Sequence, residues 1–350
     1  MRILVIRFRQ MGDAILATTL LNTLRATFPD AEIHFVLLQK FAPLFEGHPA
    51  IDRIVTFTDA ERHAPITYLR KVWRIVHHVR YDAIIDMRST VNSMLFALFS
   101  PATRFRIGVG KSYNRFVFNY RMPRCGAGSM IAHNVRLAEP LAVLRPLHRV
   151  SRFSLHITEE ERSAFRNYME QQGIDFRHPV ALFSVVTRVA SKMWNKNGFL
   201  DVGKRFVDAF PDVQIIFNYA PGVEEQQLKS LYTAGNSPRQ AFLNVRATTP
   251  RELVAMCSNV NLFFGNEDGA RHIAQAVGVP SLVVCAPSNC RTTWIPQNEV
   301  PAEAIDPHDF ADPEAYARMT YEEQYNLVTP QIVWQRLEAF TRKHLYPDVQ

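Results

Sequence analysis

Short runs of consecutive apolar residues alternate along this chain with stretches in which apolar residues recur every three or four positions. The run Ile3–Ile6 reads as a strand. Beyond the loop Arg9-Gln10-Met11-Gly12-Asp13, residues Ile15, Leu16, Leu20, Leu21 and Leu24 predict a helix that stops at Phe28-Pro29-Asp30. Strands follow at Glu32–Leu38, Arg53–Phe57, Asp82–Met87 and Thr103–Val109, with helices near Ala42–Glu46, at Tyr68–Val79 and at Val91–Phe99. The helix over 68–79 is amphipathic, with Leu69, Val72, Trp73 and Val76 expected inward and Arg70, Lys71, Arg74 and His78 outward. From Lys111 to Arg149 the pattern lapses into irregular, basic sequence. It resumes at Ile157-Thr158-Glu159-Glu160, where the threonine begins a helix cap. Strands are then predicted at Val180–Val186, Val213–Phe217, Ala241–Val245, Asn261–Phe264 and Ser281–Val284, with helices at about Gly198–Phe210, Val223–Tyr232, Pro250–Ser258 and Gly269–Val277. Residues Pro301 to Thr329 are poor in pattern, and Pro330–Leu345 reads as a last helix, expected to pack back on the first domain.

Strands with few polar residues, alternating with helices, indicate parallel sheets covered on both faces. The expected fold class is therefore α/β: two doubly wound Rossmann-like domains at 1–150 and 151–330, then the helix of 331–350. A chain of 350 residues suits two such cores better than one. Ligands bind such sheets beyond the carboxyl ends of their strands, which places the expected site in a cleft that the two domains face.

Charge narrows the partners. Residues 1–150 carry 21 Lys and Arg against 10 Asp and Glu, and the remainder carries 19 against 23. That asymmetry predicts an anionic partner for the first domain: a phosphorylated acceptor, an anionic membrane surface or nucleic acid. No nucleic-acid-binding motif orders these basic residues, so no nucleic-acid partner is expected. No run approaches the roughly 20 apolar residues of a membrane span, and the first strand is too short for a signal sequence, so a cytoplasmic protein is expected. Cys125, Cys257, Cys285 and Cys290 form no Cys-x-x-Cys pair and no cluster with histidine, and are expected to be reduced and mostly buried.

Three strand-to-helix turns carry candidate chemistry. In Met11-Gly12-Asp13, Gly12 lets a ligand approach the backbone and Asp13 is either a helix cap or a carboxylate at the cleft edge. In Gly265-Asn266-Glu267-Asp268-Gly269-Ala270-Arg271-His272 the two acids either cap a helix or meet a ligand, and His272 either bonds the preceding loop or touches that ligand. The glycines on each side suit a close backbone approach to phosphate or sugar. In Thr187-Arg188-Val189-Ala190-Ser191-Lys192, hydroxyls and a lysine could hold a diphosphate, against the alternative of a solvated loop lysine.

Taken in order, Met11-Gly12-Asp13 after the Ile-Leu-Val-Ile strand, Lys192-x-Trp194, and Gly265-Asn266-x-x-Gly269-x-x-His272 followed by Gly278-Val279-Pro280 and Pro287 resemble the ADP-heptose:lipopolysaccharide heptosyltransferases. The resemblance runs from about residue 1 to residue 296. It implies an inverting, metal-independent glycosyltransferase of the GT-B architecture, which needs no cofactor beyond its ADP-heptose co-substrate. Asp13 matches the family's proposed general base. Gly12, Thr187, Lys192, Glu224 or Glu225, Glu267, Asp268, Gly269 and His272 fall on the donor side, with Thr187 and Lys192 at the diphosphate and Glu224 or Glu225 at the ribose. The family commonly reads Asn-Asp-Thr-Gly where this chain has Asn266-Glu267-Asp268-Gly269, so Asp268 is expected to point at sugar hydroxyls or to cap the helix.

A lipid-linked lipopolysaccharide core acceptor is expected on the basic domain, gripped by Arg88, Lys111, Arg115, Arg121, Arg124 and His133. The stretch from Arg115 to Arg124, with Phe116, Phe118 and Tyr120, is expected to rest on the anionic inner face of the inner membrane as a peripheral contact. A transferase or epimerase using another nucleotide sugar, or a binding protein without activity, is the competing reading.

Overall fold

A computed structural model describes residues 1–123, 128–187, 189–234, 238–288 and 291–347. The chain divides into two units, Met1–His156 and Ile157–Gln350. Arg124, Cys125 and Cys290 lie outside the described residues.

The apolar runs become strands because both sheet faces are covered; all of Ile3, Leu4, Val5 and Ile6, for example, are fully buried. In the first unit β1 (Arg2–Ile6), β2 (Glu32–Leu38), β3 (Arg53–Phe57), β4 (Ala83–Asp86), β5 (Phe105–Val109) and β6 (Tyr120–Met122) form one parallel sheet in the order β3-β2-β1-β4-β5-β6. Its helices are α1 (Met11–Leu16), α2 (Thr18–Thr27), α3 (Asp59–His63), α4 (Pro65–Val79), α5 (Val91–Leu98) and α6 (Met130–Arg136). The order reverses between β1 and β4, the point where a doubly wound sheet opens a crevice at its carboxyl edge.

The second unit repeats the plan. Strands β7 (Val180–Ser184), β8 (Gln214–Phe217), β9 (Ala241–Phe242), β10 (Leu262–Asn266), β11 (Ser281–Val284) and β12 (Ala302–Ile305) are parallel in the order β12-β11-β10-β7-β8-β9, with the reversal between β7 and β10. Around them lie α7 (Glu159–Gln171), α8 (Lys196–Ala209), α9 (Val223–Ala234), α10 (Pro250–Cys257), α11 (Gly269–Ala276), α12 (Arg291–Trp294), α13 (Pro313–Arg318), α14 (Tyr321–Asn326) and α15 (Pro330–Leu345).

Several elements differ from the sequence reading. The first predicted helix is two, because the Thr18 and Thr19 hydroxyls bond back to the carbonyls of Ile15 and Leu16 at 2.7 and 2.8 Å. The basic stretch after Lys111 holds β6 and α6, and the tail after Pro301 holds β12, α13 and α14; all are too short for a periodic signature. The last helix was expected on the first domain, yet its apolar stripe of Val333, Leu337 and Phe340 is buried in the core of the second unit. On α4, Val72 and Val76 are inward as expected, but Leu69 is 39% and Trp73 53% exposed. Tyr68 takes the inward position instead, its hydroxyl donating to the Asn92 carbonyl at 2.9 Å.

Candidate functional site

The parallel sheets bring Gly12, Asp13 and Arg88 in the first unit, and Thr187, Lys192 and the 267–269 turn in the second, to the carboxyl edge of the strands at the reversal point, while Lys111, Arg115, Arg121, His133, Glu224 and Glu225 belong to other elements. In the first unit Gly12 and Asp13 follow β1 and Arg88 follows β4, its immediate neighbour. Asp13 is the third residue of α1 and not its cap, which is Gln10. Its carboxylate, 6% exposed, accepts from Arg7 Nη2 at 2.6 Å, and Arg9 Nη1 lies 3.5 Å from the same oxygen, Oδ1. Arg7 is itself buried; Nη1 donates to the Met87 carbonyl at 3.0 Å, and Met130 Sδ of α6 lies 3.9 Å from Nη2. Burial lowers the pKa of the Arg7 guanidinium, and Arg9 and Arg88 add like-charge repulsion, against which Asp13 is the stabilising partner. A buried pair of this kind is costly to break: removing one partner strands the other charge, at about 3–5 kcal/mol.

Arg88 is displayed by a tight turn. Asp86, fully buried, accepts from the backbone N–H groups of Arg88 at 3.0 Å and Ser89 at 2.7 Å, and Ser89 adopts a left-handed φ of 53°. Burial raises the Asp86 pKa. Burial also lowers the Arg88 pKa, and Arg9 is the next contributor. Lys111, expected to grip an acceptor, donates to the carbonyls of Arg88 and Ser89 at 3.0 and 2.8 Å and so fastens that turn. Arg121 Nη2 donates to the Lys111 carbonyl at 2.9 Å. Arg115 lies over the Phe116 ring, 4.4 Å from its centroid. The expected membrane stretch loses two of its aromatics to packing: Phe118 is buried in the core and Tyr120 stacks on Phe105, leaving Phe116 at 82% exposure. His133 is half-buried on α6, the helix that Asn134 ties to the end of α1 through a 2.9 Å bond to the Leu16 carbonyl.

In the second unit Thr187 and Lys192 follow β7, and Glu267, Asp268 and Gly269 follow β10. Asp268 resolves to the capping role. It is the N-cap of α11, accepting from the N–H groups of Ala270 and Arg271 at 2.9 and 3.2 Å, and it also accepts from the Ser184 hydroxyl at 2.6 Å. Two of the N–H groups that open α11 are therefore already taken. Burial pushes the Asp268 pKa up to about 6, with Glu267 adding repulsion and the Ser184, Arg271 and Ala270 bonds opposing the rise. Glu267 behaves oppositely. Burial alone would raise its pKa, but bonding to His272 and the charges of His272, Arg271 and Lys192 hold it at about 2. His272 Nε2 is 3.3 Å from Glu267 Oε1, so the histidine bonds the preceding loop, and Lys192 Nζ is 3.5 Å from Glu267 Oε2.

Lys192 is positioned by its own backbone. Tyr325 donates to the Lys192 carbonyl at 3.0 Å and Tyr321 to the Ser191 carbonyl at 2.5 Å, both from α14. Trp194 is buried, its N–H bonded to Asn266 Oδ1 at 2.9 Å and its indole to the Val328 carbonyl at 2.9 Å. Gly265 serves the sheet and not a ligand, since a Cβ there would meet the Ser184 carbonyl oxygen at 2.2 Å. Glu224 accepts from the Ala220 N–H at 2.9 Å and so holds its own loop, while Glu225 pairs with Lys229 and Arg246. Arg7, Ser184, Asn218 and the two tyrosines of α14 are parts of these constellations that the sequence did not reveal; Asn218 Nδ2 donates to Ser184 Oγ at 3.1 Å.

Residues 69–301 match the model of glycosyltransferase family 9 (heptosyltransferase). The chain is 19% identical over 297 residues to lipopolysaccharide heptosyltransferase 1 of Campylobacter coli, covering 81% of this chain and 83% of that one. Its fold is similar to a family 9 glycosyl transferase from Veillonella parvula, with a TM-score of 0.80 at 20% identity over 98% of this chain and 97% of the other. It is also similar to E. coli ADP-heptose LPS heptosyltransferase II, with a TM-score of 0.75 at 21% identity over 98% and 99%. The two doubly wound units are those of the GT-B architecture.

Proposed function

The chain belongs to glycosyltransferase family 9, and from that premise we propose that it moves a heptose from ADP-heptose to the inner core of lipopolysaccharide, with inversion and with Asp13 as general base. The observation that carries this reading is the Asp13 carboxylate at the reversal point of a basic sheet edge, held through Oδ1 by Arg7. Among the described residues no side chain bonds Oδ2, which leaves that oxygen to take a proton. The acceptor hydroxyl oxygen bonds to the anomeric carbon as its proton passes to Asp13. The bond from that carbon to the diphosphate oxygen breaks, and ADP departs with the electron pair.

Lys192, in long contact with Glu267, is the cation for the departing diphosphate. Thr187, in the loop that leaves β7, is the hydroxyl for the same diphosphate. No bound metal and no cofactor enters this scheme. Arg88, with Arg9, is the acceptor's anion grip, and Lys111 supports Arg88 from behind. Because the acceptor is lipid-linked, the reading includes a peripheral contact of the first unit with the anionic inner face of the inner membrane. Among the described residues no helix is long and apolar enough to cross a membrane.

The test is heptosyl transfer from ADP-heptose to a deacylated core acceptor by wild type and by Asp13→Asn, with ADP binding measured alongside. Transfer lost while ADP binding persists supports the assignment. Undiminished transfer by the variant removes Asp13 as base, and absent transfer by wild type removes the reaction.

A further inference from the structure

Helix α4 carries two apolar faces, and the fold uses one. Tyr68, Val72 and Val76 are buried in the first unit's core, whereas Ile66 is 67% exposed and lies in line with Leu69 and Trp73, both of which were expected inward. Positions 66, 69, 70, 73, 74 and 77 follow helical spacing and define one outward surface. Trp73 is held flat on it, stacked on His77 with ring centroids 3.6 Å apart and edge-on to Phe99 at 5.7 Å. Between α4 and Phe99 the surface forms an open groove of about 680 Å³ lined by Leu69, Arg70, Trp73, Arg74 and the two histidines, with no acid among its walls. No acidic residue occurs between Glu61 and Asp82. Among the described residues Arg70 and Arg74 make no ion pair, so their charge is uncompensated.

We propose that this α4 surface docks the protein on an anionic lipid bilayer, with Ile66, Leu69 and Trp73 entering the interface and Arg70 and Arg74 meeting lipid phosphates. The proposal rests on the reading of a lipid-linked acceptor for its purpose, though not for its physics. A tryptophan between aliphatic side chains and guanidinium groups matches a boundary that is apolar on one side and anionic on the other. A second copy of this chain fits less well, because a two-fold contact through this face would set arginines against arginines. A single-stranded nucleic acid would use the tryptophan and the arginines but gives Ile66 and Leu69 nothing to bury in. Among the described residues the stretch around Arg115 and Arg121 exposes the aromatics Tyr113 and Phe116 but no large aliphatic side chain, so α4 is the stronger of the two faces.

The experiment is flotation with vesicles of phosphatidylcholine alone and of phosphatidylcholine with phosphatidylglycerol, following Trp73 emission in parallel. Wild type should bind the anionic vesicles with a blue shift that Trp73→Phe abolishes, and should leave the neutral ones unbound. Arg70→Ala/Arg74→Ala should weaken binding about five-fold per arginine removed. Ile66→Ser/Leu69→Ser should abolish the blue shift, and Arg115→Ala/Arg121→Ala should bind like wild type. The α4 positions are exposed, and each α4 variant should keep wild-type transfer to the deacylated acceptor. Equal vesicle binding by the α4 variants and wild type overturns the proposal. So does loss of binding in the Arg115/Arg121 variant alone, a dimer in solution that Trp73→Phe or Ile66→Ser/Leu69→Ser dissociates, or a preference for single-stranded RNA over vesicles. Transfer without vesicle binding sinks the docking surface and spares the enzyme, whereas binding without transfer does the reverse.

Discussion

The two reversal points are built on the same topology and hold carboxylates in opposite electrostatic circumstances. In the first unit Asp13 stands among Arg7, Arg9 and Arg88, while the buried Asp86 holds the turn of Arg88 through backbone N–H groups. In the second, two consecutive acids share one turn, and the fold separates them: Glu267 faces His272, Arg271 and Lys192, while Asp268 is left with neutral donors from Ser184 and the start of α11. The difference is legible in the pKa directions, with Glu267 held at about 2 and Asp268 pushed up to about 6. Glu267, surrounded by cations, stays an anion. An acid beside another acid becomes part of the frame.

The largest way to test that contrast is Asp13→Asn, which keeps the side-chain shape and removes the base; transfer should fall about 10²- to 10⁴-fold in steady-state rates under conditions where circular dichroism shows the variant folded, since stranding Arg7 also costs stability, up to about 3–5 kcal/mol. Next comes Arg7→Met, which strands the Asp13 carboxylate and should cost about 3–5 kcal/mol in urea unfolding; a loss under 1 kcal/mol would show that the pair is not a structural unit. Ser184→Ala removes a charge-assisted bond to Asp268 and should cost about 1.5–3 kcal/mol at pH 7. The smallest effect is on pH dependence. The Asp268 pKa is raised from the ordinary 3.8 to about 6, so the native state holds that proton more tightly than the unfolded chain does, and the stability it contributes is full below about pH 4 and lost as pH rises to about 6. Glu267, lowered from 4.5 to about 2, contributes stability above pH 4.5 that is lost as pH falls toward 2. Melting temperatures of Asp268→Asn should therefore decline less between pH 4.5 and 7 than those of wild type, and parallel curves would contradict the assignment.

The sheets were legible because a strand buried on both faces is a run of apolar residues, as in β1, β2 and β7, and ten of the twelve strands could be read. The exceptions, β6 and β12, sit at sheet edges: Tyr120-Arg121-Met122 alternates over only three residues, and Ala302–Ile305 includes a glutamate. Helix α4 misled for the opposite reason. Apolar residues fill two of its faces, and periodicity alone does not say which one the core selects. At the candidate site, Asp13, Lys192 and the 265–272 turn stood out by residue type and place. Their partners did not: Arg7 is one arginine among many in a basic half, and Ser184 reads as a small residue within a buried strand until β10 is paired beside it.

The hydroxyls of Tyr321 and Tyr325 give the lysine loop a history. They lie beyond residue 301, where the family match ends, yet they fasten carbonyls about 130 positions earlier in the chain. During synthesis the loop carrying Lys192 leaves the ribosome long before its clasps exist, and Trp194 likewise waits for the Val328 carbonyl. The loop that bears this lysine is thus among the last pieces of the unit to be completed, and a chain stopped near residue 310 would contain every motif of the family and still lack the means to hold that loop in place.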